Sequence, residues 1–236
     1  MDVSEIITDA LKYPFQNIKA LIVYAILAII ASLAIGGTII GMASGVAYEN
    51  ALATGALGIV GIVIAIIILL LISGYELDLI KYGILRDSGV PGIEPVRQIF
   101  NAIKLIILNI VYFLIPVIIL AILGLIFKNW LTNIIGIILL IVFALAQFMG
   151  ECRLAKTDSL SSGLAIGEAI GDISKVGLLK ILAVVIISAI IITIITVIIT
   201  AITNANVTVG SILLGIFGIY IVFFTARIKG LLYSEI

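Results

Sequence analysis

The sequence predicts an all-α polytopic membrane protein: six transmembrane helices in three pseudo-repeats, each an amphipathic surface helix followed by a two-span hairpin. Three observations carry this expectation. Six apolar stretches have lengths at or near the roughly 20 residues that a helix needs to cross the hydrocarbon layer. Of 236 residues, 64% are hydrophobic and only 11% charged, against about 25% charged in a soluble domain. One plan recurs three times: short amphipathic stretch, lysine, long span, tight turn, second span, basic exit.

The first amphipathic stretch sets Val3, Ile6, Ile7, Ala10 and Leu11 on one helical face and Asp2, Glu5, Asp9 and Lys12 on the other. The second sets Ile93, Val96, Phe100 and Ile103 against Glu94, Arg97, Gln98, Asn101 and Lys104, with Pro95 suited to a first helical turn. The third sets Ile166, Ala169, Ile170, Ile173 and Val176 against Glu168, Asp172 and Lys175. Each is too short and too charged to cross, so all three are expected along the membrane surface, apolar face in lipid or protein. The spans themselves are expected near 20–46, 52–74, 105–127, 131–149, 178–202 and 208–226. Lys19, Lys104 and Lys180 begin the odd spans, where their stems can reach the phosphate level. Within a single domain, 1–236, the pseudo-repeats fall near 1–89, 90–163 and 164–236.

Six crossings put both termini on one side. That side collects Lys12, Lys19, Lys81, Arg86, Arg97, Lys104, Arg153, Lys156, Lys175, Lys180, Arg227 and Lys229, and the other has Lys128 alone. Basic short loops stay inside, so the termini are expected in the cytoplasm, with the protein in the cell membrane. The start, MDVSEIITD, is acidic where a signal peptide is basic, so the first span is expected to be kept. The outer turns are Tyr48 to Asn50, Lys128 to Trp130 and Asn204 to Thr208; Asn206-Val207-Thr208 fits a glycosylation sequon.

Asp9-Ala10-Leu11-Lys12-Tyr13-Pro14, the Gly74-Tyr75-Glu76 exit and the Pro91-Gly92 turn resemble an archaeal integral-membrane family typical of methanogens, that of domain of unknown function 4013. The resemblance implies a polytopic protein of an archaeal cell membrane and carries over no catalytic residues. The threefold two-helix plan resembles mitochondrial carriers in architecture only, because their Pro-x-Asp/Glu-x-x-Lys/Arg signature is missing.

The absences narrow the function. Thirteen basic and thirteen acidic residues cancel, which argues against nucleic acid. With no His and one Cys, Cys152, the sequence offers no internal disulfide, no zinc site of the usual kind and no base to activate the thiol. It contains no phosphate-cradling glycine loop, and no ionisable residue sits at mid-membrane depth. Neither catalysis, a cofactor nor a metal is expected.

Three residue sets are candidates for function. Glu76, Asp78, Lys81, Glu151, Arg153, Lys156, Arg227 and Lys229 lie at the inner ends of the even spans and could form a head-group or gate ring, with Arg153, Arg227 and Lys229 on an anionic lipid. They could equally be a belt of salt bridges that fixes helix ends. Thr193, Thr196 and Thr200, with Asn109 and Gln147, could line a pathway; the alternatives are back-bonded hydroxyls and interhelical glue. Gly37, Gly41, Gly45, Gly55, Gly58 and Gly61 form a small-residue seam, for a homo-oligomer, for other membrane subunits or for packing within one hairpin. Pro116 is expected to kink the third span. The expected function is non-enzymatic, lipid-interacting or scaffolding, with membrane lipids as partners. The alternative is a passive carrier, permease or flippase for an apolar or amphiphilic solute.

Overall fold

The computed structural model describes residues 1–47, 51–127 and 130–236, with side chains for all of these except 36–47, 51–57, 207, 208 and 211. These residues form α1 (Val3–Gln16), α2 (Ile18–Ala47), α3 (Ala51–Ile84), α4 (Pro95–Ile126), α5 (Trp130–Thr157), α6 (Leu160–Gly163), α7 (Ile166–Val176), α8 (Leu178–Ala205) and α9 (Val207–Tyr233). Helices α2, α3, α4, α5, α8 and α9 are long and apolar enough to cross a membrane, as the apolar stretches predict.

Their ends differ from the sequence reading. Helix α3 continues to Ile84, α5 to Thr157 and α9 to Tyr233. The charged exits are rich in Glu, Leu, Ala and Lys, which propagate a helix whether or not lipid surrounds it. The 34 residues of α3 reach about 51 Å at 1.5 Å per residue, well beyond a hydrocarbon layer about 30 Å thick. The even-numbered spans carry their charges at one end, on turns of helix beyond their apolar stretches. Left-handed residues close two of these exits, Arg86 at φ 55° and Asp158 at φ 56°.

The amphipathic segments also differ. Helix α1 starts on a reciprocal cap: Asp2 accepts from the Glu5 amide at 2.7 Å, and Glu5 accepts from the Asp2 amide at 2.9 Å. Asn17 separates α1 from α2, and Gly177, at φ 97°, separates α7 from α8. The second segment is not a separate surface helix. It is the first turns of α4, which runs on through the buried Pro116. Part of its polar side is buried: Gln98 and Asn101 lie within the protein, while Glu94 and Arg97, like Val96, Phe100 and Ile103, are exposed.

Helices α3 and α9 lie together at the centre. Helix α2 packs on both, α4 on α3 and α5, α8 on α9, α1 on α9, and α7 on α5. Two close approaches fix this arrangement. A Cβ on Gly230 would sit 2.4 Å from the Ile80 carbonyl oxygen and 2.5 Å from the Gly83 Cα, so α3 and α9 meet backbone to backbone. A Cβ on Gly74 would sit 1.8 Å from the Gln98 carbonyl oxygen, which brings α4 equally close to α3. Around these contacts Tyr24 stacks on Tyr75 with ring centroids 4.2 Å apart, and Phe223 meets both.

Of the small-residue seam, Gly37, Gly41, Gly45 and Gly55 fall outside the residues whose side chains are described, as do Tyr48 to Asn50 and Lys128-Asn129. Gly58 is buried and Gly61 half-buried on α3. Asn206 caps α9, accepting from the Val209 amide at 3.1 Å; Val207 and Thr208 of the sequon lie outside the described side chains.

Candidate functional site

The charged ends of α3, α5 and α9, with the helices packed on them, form one polar junction. It contains most of the candidate ring, divided into a central cluster and three peripheral clasps.

At the centre, Lys229 of α9 donates to Glu76 of α3 at 2.7 Å and to Glu151 of α5 at 2.6 Å. One ammonium thus joins the three even-numbered spans. Glu151 continues the polar line to Gln147 at 3.4 Å, and Gln147 donates to Asn109 of α4 at 3.0 Å. The Cys152 thiol is fully buried here and donates to the Lys229 carbonyl at 3.4 Å.

Each clasp pins an amphipathic segment to an even-numbered span of a different hairpin. Arg227 of α9 donates to Asp9 of α1 at 2.6 Å and to the carbonyls of Tyr82 and Asp87, with its guanidinium 4.5 Å from the Tyr13 ring centroid. Burial holds the Tyr13 phenol well above its ordinary value, against the pull of Arg227, so it stays protonated and donates to the Gly89 carbonyl at 2.8 Å. Asp78 of α3 accepts from Arg97 and Asn101 of α4, each at 3.1 Å. Arg153 of α5 donates to Asp172 of α7 at 2.9 Å, to Glu168, and to the Ser162 carbonyl at 3.0 Å. Asp172 also accepts from Lys175 at 2.7 Å and Tyr233 at 2.9 Å. Burial alone would raise the Asp172 carboxyl, but these donors outweigh it and hold it below the ordinary carboxylate value.

A fourth contact ties the ends of the chain. Glu235 accepts from Lys180 at 2.6 Å and from the Met1 amine at 2.8 Å. These donors again outweigh burial, and the Glu235 carboxyl is held low.

The other ring members stand apart. Lys156 donates to the Ile236 carbonyl at 2.9 Å and lies over the Tyr233 ring. Lys81 is exposed beside the Asp78 clasp. The candidate head-group cations Arg153, Arg227 and Lys229 each face carboxylates of the chain itself, so their hydrogen bonds are directed inward. The candidate pathway residues are not brought together. Thr193, Thr196 and Thr200 lie exposed on α8, and Thr200 returns its hydroxyl to the Thr196 carbonyl at 2.8 Å. Asn109 and Gln147 instead bridge α4 to α5.

Sequence reasoning missed the clasp partners Asp9, Arg97, Asn101 and Asp172 as site residues, and missed Tyr13 and Tyr75. A signal existed for some. Asp9 and Tyr13 belong to the Asp9-to-Pro14 motif and Tyr75 to the Gly74-Tyr75-Glu76 exit. Tyr75 donates to the Pro91 carbonyl at 3.1 Å. The motifs that carry the family resemblance therefore meet at one end of the molecule.

Such a bundle, apolar along its spans and closed by ion pairs at one end, defines a helical integral membrane protein. The sequence model of the family described as Protein of unknown function (DUF4013) matches residues 57–204, more than half of the chain. The protein belongs to that family. No curated protein and no solved structure matches the chain.

Proposed function

We propose that this protein is a non-enzymatic, lipid-interacting component of the cell membrane, an archaeal one by the family resemblance, with both termini cytoplasmic, that organises lipids or neighbouring subunits at the inner face. One observation carries the reading. Val96, Phe100, Ile103, Ile107, Ile110 and Leu114 form one exposed apolar stripe along α4, from the charged end into the span. Their three- and four-residue spacing keeps them on a single face. Because Gln98 and Asn101 turn inward, nothing polar interrupts the stripe where the bilayer meets water. An apolar helical face at that depth sinks into the head-group and acyl boundary. The Lys/Arg asymmetry supports a cytoplasmic placement of this end. The ring, drawn into internal ion pairs, supports a fixed scaffold over a gate. Among the described residues the candidate route of the carrier alternative does not come together, since the α8 threonines face outward, away from Asn109 and Gln147.

Native mass spectrometry of the protein released from its membrane in mild detergent tests this. Lipid retained in fixed stoichiometry is expected, with less retained by the V96S/F100S double variant. Release of a bare polypeptide, together with solute uptake by protein-loaded liposomes, would replace this reading by the carrier.

A further inference from the structure

Beside the Asp78 clasp lies a cavity of about 240 Å³ between α3, α4 and α5. Asp78, Lys81, Glu94, Arg97, Asn101 and Asp158 line it. Two of these, Asp78 and Asn101, are more than nine-tenths buried and bonded to each other, which gives the cavity a fixed polar wall. Most of its charges are already met. Asp78 is met by Arg97, and Asp158 by Lys104 at 2.6 Å. Two are not spent in this way. Among the described residues Lys81 joins no ion pair within 4 Å and acts on Asp78 only from further off, and Glu94 has only a loose, exposed one with Arg97 at 3.5 Å. Lys81 and Glu94 are opposite in charge and line one cavity, yet they do not pair with each other. A ligand with an anionic and a cationic end can satisfy both at once.

We infer that this cavity binds a small zwitterion pairing a phosphate with a primary ammonium, the phosphate on Lys81 and the ammonium on Glu94. The inference rests on the lipid-interacting reading and names the head group it selects. A phosphate with no cation beside it meets Lys81 but adds negative charge beside Glu94, whose one ion pair is loose, so a purely anionic head group is disfavoured. A primary ammonium supplies hydrogen-bond donors that Glu94 and the second oxygen of Asp158 accept, and a quaternary ammonium supplies none. The cavity lies where the helices emerge from the apolar layer, the depth at which a bilayer presents its phosphates. Its size suits a head group, leaving acyl chains to the apolar surface of the bundle.

The test titrates the full chain in detergent, by native mass spectrometry, with dioleoyl phosphatidylethanolamine, with dioleoyl phosphatidylglycerol, and with free glycerophosphoethanolamine. Binding of the ethanolamine lipid is expected to exceed that of the glycerol lipid about tenfold. K81Q and E94Q, both at exposed side chains, are each expected to remove that preference while the thermal unfolding midpoint holds. If only free glycerophosphoethanolamine binds, with the same sensitivity to both variants, the site takes a soluble zwitterion of this chemistry. Equal binding of the two lipids, no binding of either ethanolamine compound, or unchanged selectivity in K81Q and E94Q overturns the assignment. Stoichiometric lipid retention that survives those failures leaves the broader lipid-interacting reading intact.

Discussion

The two ends of the helix bundle hold together by different means. At the charged end, Gln98, Asn101, Asp172 and Arg227 are buried, and ion pairs join helices far apart in sequence. At the other end, Ile135, Ile137, Ile138 and Ile141 of α5 are exposed. In lipid, apolar side chains gain little by leaving the solvent, so packing, hydrogen bonds and close backbone approach must supply cohesion. The charged end has all three. The far end keeps close approaches of its own, where a Cβ on Gly210 would run into Thr203, but among the described residues no ion pair joins the spans there.

This contrast can be broken most severely at Gly74. In G74A the new Cβ meets the Gln98 carbonyl, a backbone atom that cannot swing aside. A loss of about 3 kcal/mol is expected, read as a lower thermal midpoint in detergent. Gly124, toward the other end of α4, has nothing within 4 Å of an added Cβ, and G124A is expected to change stability by no more than about 0.5 kcal/mol. Similar losses for the two would erase the distinction between the ends.

The next effect concerns a clasp. R227M strands Asp9 and takes the Arg227 donor from the Asp87 carbonyl, while the Tyr82 carbonyl keeps the Asp87 amide. Asp9 is partly open to water, which softens the loss to about 2 kcal/mol. Hydrogen exchange should rise in α1 more than in α5. Unchanged exchange in α1 would mean that its apolar face, not the ion pair, holds it down.

The smallest effect sharpens the comparison through pH. Asp172 and Glu235 have carboxyls held below their ordinary values. Their stabilisation is therefore full above the unfolded carboxylate values, about 4, and is lost as pH falls through the lower folded values. The unfolding midpoint is expected to fall on acidification below about pH 4, and D172N should flatten that fall. A D172N profile parallel to the native one would remove Asp172 from the acid response.

What could be read from the sequence divides along the same line. Six apolar runs announce six helices because length and hydropathy are local properties. The helix ends could not be read the same way, since the exits after Gly74, Met149 and Ala226 change polarity without changing helix propensity. The second amphipathic segment misled for a related reason. Its polar and apolar faces were read correctly, but which face turns inward depends on Tyr24 and Asp78 waiting on other helices. The ring was legible as a group at one end of the even spans; its partition into clasps was not, because each pairing depends on which hairpin becomes a neighbour. The α8 residues Thr193, Thr196 and Thr200 show the converse, a regular pattern left on an exposed face.

The clasp between Asp9 and Arg227 spans 218 residues, and this sets an order of events during synthesis. The docking face of α1, Ile6, Ile7 and Ala10, packs on α9, which the ribosome makes after the other five described spans. At about 5–20 residues per second that wait lasts roughly 10–45 s. Until α9 arrives α1 can meet only helices on which it packs less, α2 and then α8, so its docking on α9 is a late step of assembly. Segment 3–16 thus waits for a partner more than two hundred residues further along the chain.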